Sequence, residues 1–579
     1  MANQIRSSQV NNMNNAESLE LKSETIDALP IINHFIDRLG LDKIIECAMP
    51  YADPSNHIMP YTSIGILLRN IIMGRLPVYG FNEWVTLFDS QLFNLKTEQV
   101  DSLNDDRIGR ALEKLFDTDR ASLMTEIVLK AVREFDLKMD QFHNDSTSIT
   151  FHGEYEDANG DKKRGKETLE IIRGYNKDHR PDLKQLVFDL TVTSDGAVPI
   201  HYKGYDGNRT DDTTHIETWD SLRELKGSPD FIYVADSKLC VSETMRYIDR
   251  EDGFFITVMP RTRDEDKWFR KHIIDNKVPW DEVCRVQDPR KKNDPPEIWR
   301  MVESPILSKE GFRIAWLWSS KKTNHDQKSR QNKINKAISD LKDLQKRLQS
   351  NHCRLKTKQA VSREVEKIVG EAGANRWIDS DVVEKIEITH KQEKKGRPGA
   401  NTRYMAIERT RFQVNWEIVI TNVKADTCSD GMFPLITNCD DISLKDIFEK
   451  YKYQPKLEKR HEQFKTVYGI APVLLKNITR FDALLFVFFI ALLVQSVIER
   501  EVRSNMKKAG LEGIPVYPEK RQCVSPTTDK VLNLFNNIQR HYLTDNGVLV
   551  KTFNPRLNEV QTLILDLLNI PRSVYTEYS

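Results

Sequence analysis

Read from the N-terminus, the apolar positions first recur with a helical period. Leu29, Ile32, Phe35, Ile36 and Leu39 form one stripe, Ile64, Leu67, Leu68, Ile71 and Ile72 a second, and Ile108, Ala111, Leu112 and Leu115 a third. Residues three and four apart share a helix face, so each set is the buried side of an amphipathic helix. Asn104 and Asp105 stand where the third helix needs a cap. These stripes predict a helical N-terminal domain over 25–137, preceded by a polar tail, 1–24, expected to be disordered.

Near residue 140 the period becomes that of a strand. HNDSTSITFHGEY mixes β-branched and aromatic residues with polar ones, and Leu186, Phe188, Leu190 and Val192 alternate strictly. Asp195-Gly196 then turns the chain into Val198–Lys203, which reads as a hairpin. A helix capped near Asp212 or Thr213, with Ile216, Trp219, Leu222 and Leu225 inward, ends at Gly227. The run Phe231–Ala235 is apolar throughout and stops at Asp236, as suits a central strand buried on both faces. A further helix and the strand Phe254–Val258 complete the group, 138–261.

Beyond 262 the regular pattern lapses. Residues 321–358 hold twelve Lys/Arg against three Asp, with Ile334, Ile338, Leu341, Leu344 and Leu348 as a stripe, which predicts a long basic amphipathic helix. Lys394–Pro398 reads as a basic turn and 404–423 as strands, clearest at Trp416–Thr421. Residues 262–425 thus form an α+β insertion. The pattern resumes over 426–505 with a strand at Phe433–Thr437, a capping box at Ser443–Asp446 and a helix started by Pro455, on which Glu458 and Lys465, two turns apart, share a face. Phe481–Ile498 is long enough for a membrane span. It contains Asp482 and Gln495, however, which are costly in lipid, so a buried core helix is expected. Residues 506–579 form a helical or mixed C-terminal region.

Composition narrows the partners. The net charge is +0, so any polyanion must be met by local basic patches. The seven cysteines make no C-x2-C pair, which argues against a zinc site and a disulfide framework and fits a reducing cytoplasm. The N-terminus lacks an apolar signal-peptide core.

The candidate chemistry lies in three carboxylates: Asp145 in a strand, Asp236 at the end of a buried strand and Glu458 on a late helix. Divalent ions held by hard carboxylate oxygens activate and stabilise the oxygens of a phosphodiester under attack. Position alone leaves other readings open. Asp145 could cap a turn with Ser146 and Thr147, Asp236 could cap the next helix, and Glu458 could be an exposed helix residue. Asp140 and Asp189 are the nearest rival acids, and His143, His152 and His201 are expected to be structural.

Four stretches carry a more specific signal: HNDSTSITFHGEY, the segment GYNKDHRPDLKQLVFDLTVTSDGAVPIHYKGYDGNRTDDTT, FIYVADSKL, and MFPLITN followed by YKYQPKLEKRHEQFK. Together they resemble the bacterial insertion-sequence transposases of the DDE class with a Y-x2-R-x3-E-x6-K signature, over about 140–260 and 430–500. The resemblance implies an RNase-H-like mixed α/β sheet core interrupted by the insertion. It implies Asp145, Asp236 and Glu458 as catalytic metal ligands for two Mg²⁺ or Mn²⁺ ions. It also implies DNA contacts from Tyr451 and Lys465. Gln454 stands where the family has Arg, and an amide cannot make the charged bidentate phosphate contact of a guanidinium; Arg460 or Lys456 could substitute for it in space. The implied partners are terminal repeats, target DNA and a second copy in a synaptic complex, with no membrane. A nuclease or resolvase on the same fold and an end-binding protein without catalysis are the alternatives.

Overall fold

The computed structural model describes residues 19–50, 58–177, 180–209, 214–287, 293–350, 352–468 and 476–577. The expected cap at Asp212 or Thr213 lies outside them. The protein is a mixed α/β structure with a large mixed sheet and many helices. The chain divides into two compact units, 1–256 with 449–579, and 257–448. The N-terminal helices therefore share a unit with the sheet that follows them, rather than forming a separate domain. The strand Met432–Thr437 groups with the second unit rather than with the Glu458 helix.

In the first unit the helical stripes form as their spacing predicts. Asn104 accepts from the Arg107 N–H and caps Asp105–Asp117. The strand Gln141–Phe151 pairs antiparallel with Lys184–Thr193, which pairs antiparallel with Pro199–Asp206. On its other edge Gln141–Phe151 runs parallel to Ile232–Ala235. The hairpin turn holds Gly196 at φ 105° and Ala197 at φ 51°, the left-handed region that a glycine enters without strain. Helix His215–Lys226 ends at Gly227 with φ 82°.

The apolar segment is the helix Ile478–Lys508, and it is a core helix: 94% of its most apolar window is buried against protein. It packs on Asp105–Asp117, Pro60–Arg69 and Pro199–Asp206. Its polar groups are satisfied inside the fold. Asp482 takes a 2.6 Å bond from Arg120, and Gln495 accepts from the Tyr468 hydroxyl at 2.7 Å. Residues 19–24 depart from the expected tail: Leu19–Thr25 is a strand, paired antiparallel with Gln539–Asp545. Its charged, alternating sequence resembles a polar tail until a distant partner supplies the ladder.

The second unit is more regular than its sequence suggests. Helix Asp264–Asp275 and strands Asp281–Val286, Glu297–Glu303 and Arg313–Ser319 occupy the stretch with no clear period. The basic helix spans Ser320–Gln349 and is followed by a second, Lys358–Glu371. Ile334, Leu341, Leu344 and Leu348 pack with Val361, Val365, Val382, Phe412 and Val414, so the predicted stripe is a real core face. Ile378–Gln392 and Tyr404–Ile418 form a two-stranded antiparallel ribbon. The apolar run at Trp416–Thr421 is not one strand: the ribbon strand ends at Ile418 and a helix begins at Ile420.

Candidate active site

Asp145 and Asp236 are brought together by strand register. Gln141, Phe142 and His143 pair in parallel with Ile232, Tyr233 and Val234. Asp145 lies two residues beyond the last of these pairs, and Asp236 directly follows the end of the neighbouring strand at Ala235. Side chains alternate, so Asp145 shares a face with its antiparallel partner Leu190 and with Phe188. That face receives the Glu458 helix, since Phe188 stacks on Phe464 with ring centroids 4.3 Å apart. Asn144 and Asp189 point the other way: Asp189 is buried and accepts from Asn144 Nδ2 at 2.8 Å and Thr218 Oγ1 at 3.3 Å. The rival carboxylate is thus a structural acceptor.

Asp145 and Asp236 also act on each other electrostatically. Burial raises the Asp236 carboxyl above its usual range, the Lys238 N–H it accepts at 2.9 Å opposes this, and the charge of Asp145 raises it further. Two like charges so placed favour either a shared proton or a cation. An ammonium is close at hand: Lys177 Nζ lies 3.4 Å from Asp145 Oδ1 and donates to Ser146 O at 2.7 Å, and its charge also acts on Asp236.

Glu458 lies on the helix Gln454–Glu462, with Pro455 in its first turn. Three devices dock that helix. Gln454 is buried, with Oε1 2.9 Å from His143 Nδ1 and Nε2 donating to Asn144 O at 3.0 Å. Gln141 Nε2 donates to His143 Nε2 at 2.7 Å, which leaves the imidazole proton on Nδ1 for Gln454. Tyr453 accepts from the Gly196 and Ala197 N–H groups, both at 2.8 Å. Arg460 is buried, donates to the Gly196 and Ala197 carbonyls, and pairs with Glu499 at 2.7 Å. Gln454 and Arg460, read from sequence as DNA contacts, are therefore engaged inside the fold, fixing the helix to the Asp145 strand and to the hairpin turn.

Glu458 itself is exposed. Tyr451 lies in the field of both Glu458 and Asp236: burial first, then those two charges, push its phenol up to about 12. Among the described residues no three His, Cys, Asp or Glu side chains are grouped to hold a metal. Asp145 and Asp236 thus lie within each other's field, and Tyr451 lies in the field of Asp236 and of Glu458. Lys465 sits in a π-helical turn, Gln463–Val467, a widening of the helix just past Glu458. His143 and His201 are buried and neutral, as burial holds both near pKa 4, while His152 is exposed.

Two neighbours escape sequence reasoning. Lys177 belongs to the quoted GYNKDHRPDLKQ stretch, but nothing local shows where a lysine folds back. His461 is three residues after Glu458 and so near its helix face. It is buried, held near pKa 3 by that burial, with Nε2 3.7 Å from Asp145 Oδ2.

A family model described as a domain of unknown function (DUF4277) matches residues 21–129. No curated protein matches. Among solved structures, a piggyBac transposase synaptic complex with hairpin DNA is similar at TM-score 0.35 and 9% identity, over 88% of this chain and 78% of that one. A Mos1 transposase paired-end complex with its left transposon end is similar at TM-score 0.14 and 11% identity, over 37% of this chain and 62% of that one. Both likenesses are distant.

Proposed function

We propose that the protein is a DNA transposase of the DDE class, which cleaves the ends of its own element and joins them to target DNA by phosphoryl transfer. The observation that carries this reading is the pair Asp145 and Asp236, each within the other's field beside two parallel-paired strands, with the Glu458 helix docked on the Asp145 strand. The donor set fits a hard divalent cation: two carboxylates side by side, one with its proton affinity raised by burial and by the other. Asp145 and Asp236 would hold Mg²⁺ or Mn²⁺, with Glu458 completing the set. When bound, two such ions supply activation of the attacking oxygen and stabilisation of the leaving one.

The chain's own residues do the rest. Gln454, Tyr453 and Arg460 hold the Glu458 helix against the Asp145 strand and the hairpin turn. Lys177 balances the charge of Asp145 where a bound cation would otherwise do so. Tyr451 and Lys465, at the signature positions, position the phosphates of the cleaved end; backbone contacts of this kind set register without reading sequence. Two ends must be handled at once, so the working form is a dimer on DNA.

A second reading is favoured by Lys177: an ammonium on Asp145 suits a protein that binds DNA ends and no longer cuts them. Incubation with DNA carrying the element ends, target DNA and Mg²⁺ separates the readings. Joined products are expected. Cut ends without joining would identify a nuclease or resolvase. End binding that needs no metal, with no cutting, would identify the non-catalytic binder.

A further inference from the structure

The basic turn at Lys394–Pro398 is the tip of the ribbon, and the ribbon changes character along its length. Its base is built into the second unit's core through Val382, Phe412 and Val414. Beyond Glu384 and Phe412 the two strands continue for eight more paired positions, about 27 Å, with solvent on both faces. An isolated two-stranded ribbon is marginal by itself, and here Ile386, Ile388 and Tyr404 are 68%, 56% and 51% exposed.

The register sorts the side chains of this distal half. Directly opposed residues share a face. One face carries Ile386 with Thr410, Ile388 with Glu408, and Gln392 with Tyr404. The other carries Lys385 with Arg411, Glu387 with Arg409, and Lys391 with Met405. Every Lys and Arg of the paired distal positions is therefore on one side. The acid on that side, Glu387, is paired with Arg411 at 3.0 Å. Arg411 also donates to Gln349 O at 2.8 Å, at the end of the basic helix, and so belongs to the support. The tip adds Lys394, Lys395, Arg397 and Arg403, all exposed. Over 385–411 there are eight Lys/Arg against three Glu, in a chain whose net charge is +0.

We propose that this distal half is a DNA-contacting arm, which lays its cationic face and tip against the backbone of duplex DNA. Charge complementarity selects that occupant, and the major groove of B-DNA admits a two-stranded ribbon. The proposal rests on the DNA reading given above and adds a contact surface in the second unit. Lys385 and Lys391 approach phosphates along the strands, while the tip reaches the next turn of the backbone.

The test uses the full chain and a labelled duplex, with binding followed by anisotropy from about 50 to about 200 mM salt. The variant carries K391Q, K394Q, K395Q and R397Q, all exposed positions whose change leaves the melting temperature in place. Each lost phosphate contact flattens the dependence of log affinity on log salt by about 1, so a flattening of about 2–4 is expected. I386S/I388S, on the other face, is expected to leave that slope unchanged. The arm is overturned if the lysine and arginine variant keeps the wild-type slope while wild type still cuts and joins element ends, an outcome that spares the transposase reading. It is overturned equally if I386S/I388S alters sedimentation and the charge variant alters nothing, since the ribbon then docks a second copy. Failure of wild type to bind DNA at all overturns both readings.

Discussion

Both units bury an arginine against a carboxylate, and they use the pair for opposite ends. In the first, Arg460 and Glu499 fix a short helix so that acidic groups converge on one end of a sheet. In the second, Arg330 grips Asp430 with bonds of 2.8 and 2.6 Å and anchors a long helix whose remaining cations point outward. One unit sets two acids within each other's field, where an ammonium, a shared proton or a metal cation relieves them. The other spreads positive charge where a polyanion can meet it. The near-zero net charge of the whole chain conceals this division, so the sign of the sum says nothing about the partner.

The comparison can be broken most forcefully at Asp430. Asp430→Ala leaves the Arg330 guanidinium buried with only Thr427 Oγ1 at 3.2 Å, and should cost about 3–5 kcal/mol in chemical denaturation. Arg460→Met should cost less, about 2–3 kcal/mol, because Arg503 still pairs with Glu499. It should also slow DNA cleavage, since the Glu458 helix loses its hold on Gly196 and Ala197. If Arg460→Met changed stability but not cleavage, that helix would not be part of the site.

Gln454→Leu comes next. It leaves the His143 Nδ1 proton and the Asn144 carbonyl without their partner, at about 1–3 kcal/mol. Gln454→Glu keeps the shape and the acceptor for His143 but turns a carboxylate oxygen to the Asn144 carbonyl in place of the Nε2 donor and buries a charge, so its melting temperature should fall below that of Gln454→Leu.

A further test is pH. His143 and His201 have folded pKa values near 4 and His461 near 3, against 6.5 when unfolded. Between those values the unfolded state binds more protons, so stability is full above about pH 6.5 and falls as the pH drops toward 4. Asp236 works the other way: its raised folded pKa adds stability at low pH that is lost as pH rises through that value. The histidines should dominate, so the melting temperature at pH 5 should lie below that at pH 7, with a shallower drop in His201→Leu.

What the sequence made legible follows from where residues are buried. Asp236 stands out because an apolar run, buried on both faces, stops at it. The hairpin is plain because one face of Lys184–Thr193 alternates and Gly196 marks the turn. The distal ribbon has solvent on both faces, so no alternation is imposed on it and none is visible. Leu19–Thr25 is a strand only because Gln539–Asp545 pairs with it, a contact no local window contains. Gln454 shows the limit of a motif. Its spacing from Glu458 marks it as a DNA contact, yet the register of His143 and Asn144 draws it into the fold. Lys177 and His461 are missed for the same reason, as both are defined by what they fold back upon.

The central claim is that Asp145, Asp236 and Glu458 act as one site. The direct measurement is cleavage of element-end DNA with Mg²⁺ by wild type, Asp145→Ala, Asp236→Ala and Glu458→Ala, with Glu462→Ala, an exposed acid on the same helix, as the control. The account predicts that each of the three falls to background while Glu462→Ala keeps wild-type rates. Full cleavage by any one of the three would contradict it.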